Sequence, residues 1–102
     1  MAIIYQIVYW RDIPAQIKIK EGRQRKSRAL SDRFGQAIDQ AAMLAGLTGS
    51  DDYLAEWRTP GWQESDEEAD ALAERLAAEL EAAYTFERLK ALVKNEGRES
   101  GA

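Results

Sequence analysis

An α+β fold, with a single layer of three strands and helices packed on one face, is the architecture this sequence predicts, and three observations predict it. Two runs of strand-forming residues near the start are separated only by Arg11 and Asp12. Two later stretches repeat apolar residues at helical spacing. A short alternating run, YLAEWR, lies between those stretches. The expected order is β-β-α-β-α.

The first strand covers residues 3–10. Ile3, Ile4, Tyr5, Ile7, Val8, Tyr9 and Trp10 suit a pleated surface, and only Gln6 interrupts them. Apolar residues on both faces make it a central strand. The second strand, 13–20, alternates cleanly: Ile13, Ala15, Ile17 and Ile19 on one face, Pro14, Gln16, Lys18 and Lys20 on the other. Pro14 lacks a ladder donor, which suggests an edge strand hairpinned to the first. Residues 21–30, EGRQRKSRAL, read as a basic connector.

A helix over 31–45 follows, with Ser31 at its N-cap and Phe34, Ala37, Ile38, Ala41, Ala42, Leu44 and Ala45 on its apolar side. Gly46 marks its end. After the turn residues LTGSDD, Tyr53–Arg58 reads as a third strand, with a short helical turn as the competing reading. It is expected to run antiparallel to the first strand and pair with its other edge, giving spatial order 2-1-3. Its end would then lie away from Trp10, with Trp57 in the core. Ser65 and Glu68 fit a capping box before an alanine-rich helix carrying Leu72, Leu76, Leu80 and Ala83. Thr85 opens either a new helix, with Phe86, Leu89, Leu92 and Val93, or a bend in the same one. The reading is one domain over 1–94 and a flexible tail over 95–102.

Composition narrows the chemistry. At 102 residues the chain makes one domain with a modest core. It holds no Cys and no His, which excludes thiolate and imidazole metal sites, Cys or Ser–His nucleophiles and a His general base. No metal and no cofactor is expected. The carboxylates Asp66, Glu67, Glu68 and Asp70 are accounted for by capping and the helix dipole. The apolar N-terminal run is too short to span a bilayer and has no charged region before it, so a cytoplasmic location is expected. Residues 1–50 hold 8 Lys/Arg and 4 Asp/Glu, whereas 51–102 hold 6 and 14, so a basic half precedes an acidic half. Such polarity suits an electrostatically steered partner or, more simply, two solvated faces.

The segments YWRDIPAQ (9–16) and RFGQAIDQAAMLAGLTGSDDYLAEWR (33–58) resemble the small bacterial "virulence factor" domain family, and that domain is similar to the C-terminal module of staphylococcal HEAT-repeat conserved virulence proteins. The resemblance assigns no reaction and no catalytic residue. It implies an accessory role near folate and corrinoid one-carbon metabolism.

The leading functional expectation is an accessory or protein-interaction domain that docks a partner through Trp10, Arg11, Asp12, Lys18, Lys20, Arg23, Arg25 and Arg28, an aromatic anchor with a basic rim. A second is a small enzyme or ligand-binding subunit using Tyr9, Asp12 or Glu56 as acid or base and Arg11 for an anionic one-carbon metabolite. A third is weak nucleic-acid binding through the basic run, which lacks both the paired aromatics of an RNA-recognition sheet and a Gly-rich phosphate loop. A homodimer through the alanine-rich helix is a further possibility of the sequence.

Overall fold

The expected N-terminal hairpin forms. In a computed structural model, which describes residues 3–47 and 51–99, β1 (Ile3–Trp10) and β2 (Ile13–Glu21) pair antiparallel from Ile4–Lys20 to Trp10–Ile13. The register shifts between Val8 and Tyr9: Val8 faces Gln16 while Tyr9 faces Pro14, so Ala15 is the extra residue of a bulge. The shift lets Trp10 join Ile13, Ile17 and Ile19 in the core, although plain alternation would put Trp10 on the face of Ile4 and Val8.

The basic connector is a third strand. β3 (Gln24–Ala29) pairs antiparallel with β2, from Gln16–Ala29 to Glu21–Gln24. The two strands join through Gly22 and Arg23, and Gly22 takes the positive φ of +60° that such a tight turn favours at its first position. β2 is therefore interior, not an edge. Pro14 is tolerated because β3 ends opposite Gln16, with Leu30 N–H closing on the Ala15 carbonyl.

On the other side of β1 the expected third strand is shorter than predicted. Residues Asp51–Ala55 form a helical turn, α2, and only Trp57–Arg58 (β4) pair with β1, followed by Gln63–Ser65 (β5) on the same edge. The order is β3-β2-β1-β4, with β5 also on β1, in place of a three-stranded 2-1-3. β1 is central, as its composition asks. The expected turn residues 48–50 lie outside the described residues.

The helices are α1 (Asp32–Leu44), α3 (Ala69–Ala83) and α4 (Phe86–Lys94). α1 ends in a Schellman arrangement, with Leu47 N–H on the Ala42 carbonyl, Gly46 N–H on the Met43 carbonyl and Gly46 at φ +74°. Ser31 occupies the N-cap position but caps nothing with its side chain; its amide and hydroxyl both donate to the Glu81 carboxylate. The expected Ser65–Glu68 capping box is replaced by Glu68 itself, which accepts from the amides of Asp70 and Ala71, because Ser65 is spent in β5. Thr85 accepts from Arg88 N–H, so α3 and α4 are two helices.

Ile13, Ala15, Ile17 and Ile19 face the helices as predicted, sharing one core with Phe34, Ile38 and Ala41 of α1 and Leu72 and Leu76 of α3, while Leu89 and Leu92 extend it from α4, which packs on α1. Leu44, expected on the apolar side of α1, is exposed, and so is Phe86 at the start of α4. Among the described residues, no helix is long and apolar enough to cross a membrane.

Residues 95–99, expected as the start of a tail, lie against the β1–β2 turn. Gly97 O accepts from Asp12 N–H at 2.8 Å, Glu96 O accepts from Arg11 Nη1 at 2.8 Å, and Glu99 N–H donates to the Asp12 carboxylate at 2.7 Å. Residues 100–102 lie outside the described part.

Candidate binding face

The residues singled out by the sequence separate into two groups. Trp10, Arg11 and Asp12 form a clamp. Trp10 is fully buried, its indole N–H donates to the Tyr53 carbonyl at 3.0 Å, and its ring packs on Tyr53 and under the Arg11 guanidinium. A buried Trp is not a surface anchor. Arg11 sits at φ +53°, a conformation that costs about 1 kcal/mol or more for a residue with a Cβ. Its side chain is only 9% exposed and is held by the Glu56 carboxylate at 3.3 Å and by the Glu96 carbonyl. Asp12 accepts from Glu99 N–H and pairs with Arg58, whose guanidinium also covers the Tyr9 ring at 4.6 Å.

The two Trp-Arg pairs, expected apart, are neighbours. β4 pairs Trp57 with Trp10 and Arg58 with Tyr9, because the strand is two residues long and meets β1 at its C-terminal end. Trp57 is half-buried against the core and edge-on to Tyr53. This cluster joins the hairpin turn, α2, β4 and residues 96–99. An acid or base here has its donors and acceptors committed: Arg11 already holds Glu56 and a carbonyl.

The second group is the basic run, and the sheet sorts it by face. Lys26 and Arg28 lie opposite Ile19 and Ile17, on the helix side. Lys26 pairs with Asp70 at 3.0 Å, and Arg28 pairs with Glu74 at 2.9 Å. The hydrogen bonds and charges of Asp70 and Glu74 raise the pKa of Lys26 and Arg28 respectively. Both pairs are exposed and screened by solvent, so their consequence lies in charge placement more than in stability. The basic first half and the acidic second half of the chain thus neutralise one another along the β3–α3 seam. Arg28, one of the expected partner-binding residues, is committed there.

Lys18, Lys20 and Arg25 are on the opposite face. The register sets Gln6, Lys18 and Ser27 in one row across β1, β2 and β3, and Ile4, Lys20 and Arg25 in the next. Among the described residues, Lys18, Lys20, Arg23 and Arg25 make no ion pair; Arg23 sits in the turn at the end of the β2–β3 hairpin. Trp62, 46% exposed, borders a groove of about 240 Å³ lined also by Gln6, Lys18, Arg25 and Ser27, with Ile19 and Lys26 reaching it from the same strands. Gln6 is held there by its amide donating to the Pro60 carbonyl at 3.0 Å.

Sequence reasoning did not assign Gln6, Ser27 or Trp62 to a site. Gln6 carried a signal, as the one polar residue in an apolar strand. Ser27 carried none until β3 was known to be a strand.

No curated protein and no solved structure matches this chain. The model of one family, described as "Virulence factor", matches residues 8–93, from the end of β1 into α4, which takes in Trp10, Arg11, Asp12, Lys18, Lys20 and Arg25. The chain belongs to the Virulence factor family.

Proposed function

We propose that the chain is a non-catalytic binding module whose open sheet face docks on an acidic surface of a partner protein. One observation carries this reading: the sheet's cations are divided by face. Those against α3 are neutralised within the chain, and Lys18, Lys20 and Arg25 on the other face are left without ion pairs among the described residues. A cationic face on an otherwise acidic chain of net charge −4 gives a directional field, which steers association with an acidic partner and repels the same cationic face of a second copy. Exposed Trp62 at its border supplies an apolar contact of the kind enriched in binding hot spots. The enzyme alternative is weaker, since Arg11, Asp12 and Glu56 are engaged with one another's neighbourhood and with backbone. The family resemblance adds a candidate for the partner: an enzyme that handles folate- or corrinoid-bound methyl groups.

The test is affinity purification of tagged chain from extract of its native host, comparing wild type with the Lys18→Glu/Lys20→Glu/Arg25→Glu variant. A partner recovered stoichiometrically with wild type and lost with the variant is the expected result. Equal recovery by both, or none by wild type, would refute the reading.

A further inference from the structure

Resting on the binding-module reading above, we infer that the outer edge of β3 accepts an extended acidic peptide as an added strand, with side chains alternating between acidic and apolar. β3 is the terminal strand of the sheet, and all six of its residues are exposed. Among the described residues nothing pairs with its outer edge, so that edge offers unpaired backbone amides and carbonyls to an incoming chain.

The composition of the edge selects the partner. Gln24–Ala29 reads QRKSRA, with three cations and no acid. A second copy of β3 would set cation against cation, which disfavours self-pairing. An acidic strand meets the opposite condition.

The register then fixes which positions are acidic. Side chains of an added strand alternate between the two faces of the sheet. On the open side they meet Arg25 and Ser27, with Lys20 and Lys18 one strand further in. Asp or Glu is matched to that side. On the helix side they meet a cavity of about 360 Å³ between β3 and α3. Its lining includes Ile19 and Ala73, flanked by the Lys26–Asp70 and Arg28–Glu74 pairs, whose charges cancel. An apolar side chain fits there and a lone charge does not. The groove beside Trp62, at about 240 Å³, falls below the roughly 300–1,000 Å³ of ordinary ligand pockets and suits one side chain of the peptide instead.

The experiment is fluorescence anisotropy with a labelled hexapeptide of alternating Glu and Val. It is compared with a peptide of the same composition in two blocks, with two alternating peptides N-methylated on either alternate set of amides, and with a hexauridylate. Strand addition predicts that the block peptide binds about tenfold more weakly, and that one N-methylated set weakens binding about tenfold while the other leaves it unchanged. It also predicts new hydrogen-exchange protection along β3. Lys18→Glu/Arg25→Glu, checked for native circular dichroism, should abolish the binding.

No binding by the alternating peptide would overturn the inference. Insensitivity to both N-methylated sets would overturn strand addition while leaving the cationic face as a docking surface. Tighter binding of hexauridylate than of peptide would overturn the acidic-peptide assignment and also count against the proposed function.

Discussion

Gly97 sits against the Trp10 ring at φ +89°, and a Cβ there would meet Trp10 Cζ3 at 2.8 Å. Gly97→Ala should therefore destabilise the chain by about 2–3 kcal/mol in urea unfolding, from the clash and the positive φ together. Gly22→Ala, with a positive φ but open space around its Cβ, should lose only about 1 kcal/mol. Glu96 presents the reverse case. It ends α4 at φ +61°, with its own amide on the Val93 carbonyl and Gly97 N–H on the Leu92 carbonyl, a Schellman position where glycine is favoured. Glu96→Gly should raise stability by about 0.5–1 kcal/mol, measured in the same unfolding series. Trp10→Ala removes a fully buried ring and should cost about 3–5 kcal/mol, a folding defect that would mimic lost binding in any assay without a structural control.

At the scale of elements, α1 and α3 are joined by Glu81. Its carboxylate accepts from the Ser31 amide and hydroxyl at 2.8 Å each and pairs with Arg33 at 2.8 Å. Burial pushes its pKa up, but the two Ser31 hydrogen bonds and the Arg33 charge outweigh that and hold the carboxyl below its ordinary range. A carboxyl lowered in the folded state adds stability above its unfolded pKa, and that contribution is lost as pH falls through the folded value. Glu81→Gln should thus be less stable than wild type at neutral pH by about 1–2 kcal/mol, with the gap narrowing below about pH 4. Thermal unfolding of both proteins across that range checks it.

The elements also show what a sequence can reveal. Ile13, Ala15, Ile17 and Ile19 announced β2 and its buried face because one wet face forces strict alternation. β3 was hidden because an edge strand exposed on both faces has no apolar period to read; the turn at Gly22 was its one visible sign. Trp10 reads in the sequence as a surface anchor, and its burial follows from a register shift near Ala15 that sets it opposite Ile13 and leaves no mark in composition. Thr85 marked a break in the sequence that fitted either a new helix or a bend, and its side-chain cap decides for a new helix; Ser65 was not legible as a strand residue, because β5 is only three residues long and owes its existence to pairing with β1.

For the whole molecule, the charge asymmetry along the chain becomes an asymmetry across the sheet. The acidic α3 lies on the helix side and draws in Lys26 and Arg28, leaving Lys18, Lys20 and Arg25 to face outward on the other. The candidate site was therefore half legible: the basic run was visible in the sequence, but which of its members stay unpaired depends on a strand register that only the fold supplies. An acidic chain with a cationic face should associate in a salt-dependent way, since exposed charges are screened over about 8–10 Å at physiological ionic strength.

The most direct measurement compares two charge reversals of equal size in binding to the partner recovered with wild type: Lys18→Glu/Arg25→Glu on the open face, and Lys90→Glu/Lys94→Glu on exposed positions of α4. Loss of binding by the first variant with near wild-type affinity in the second is the predicted result. Equal loss in both would make net charge the determinant, and retention by the open-face variant would place the binding surface elsewhere; either would contradict the account.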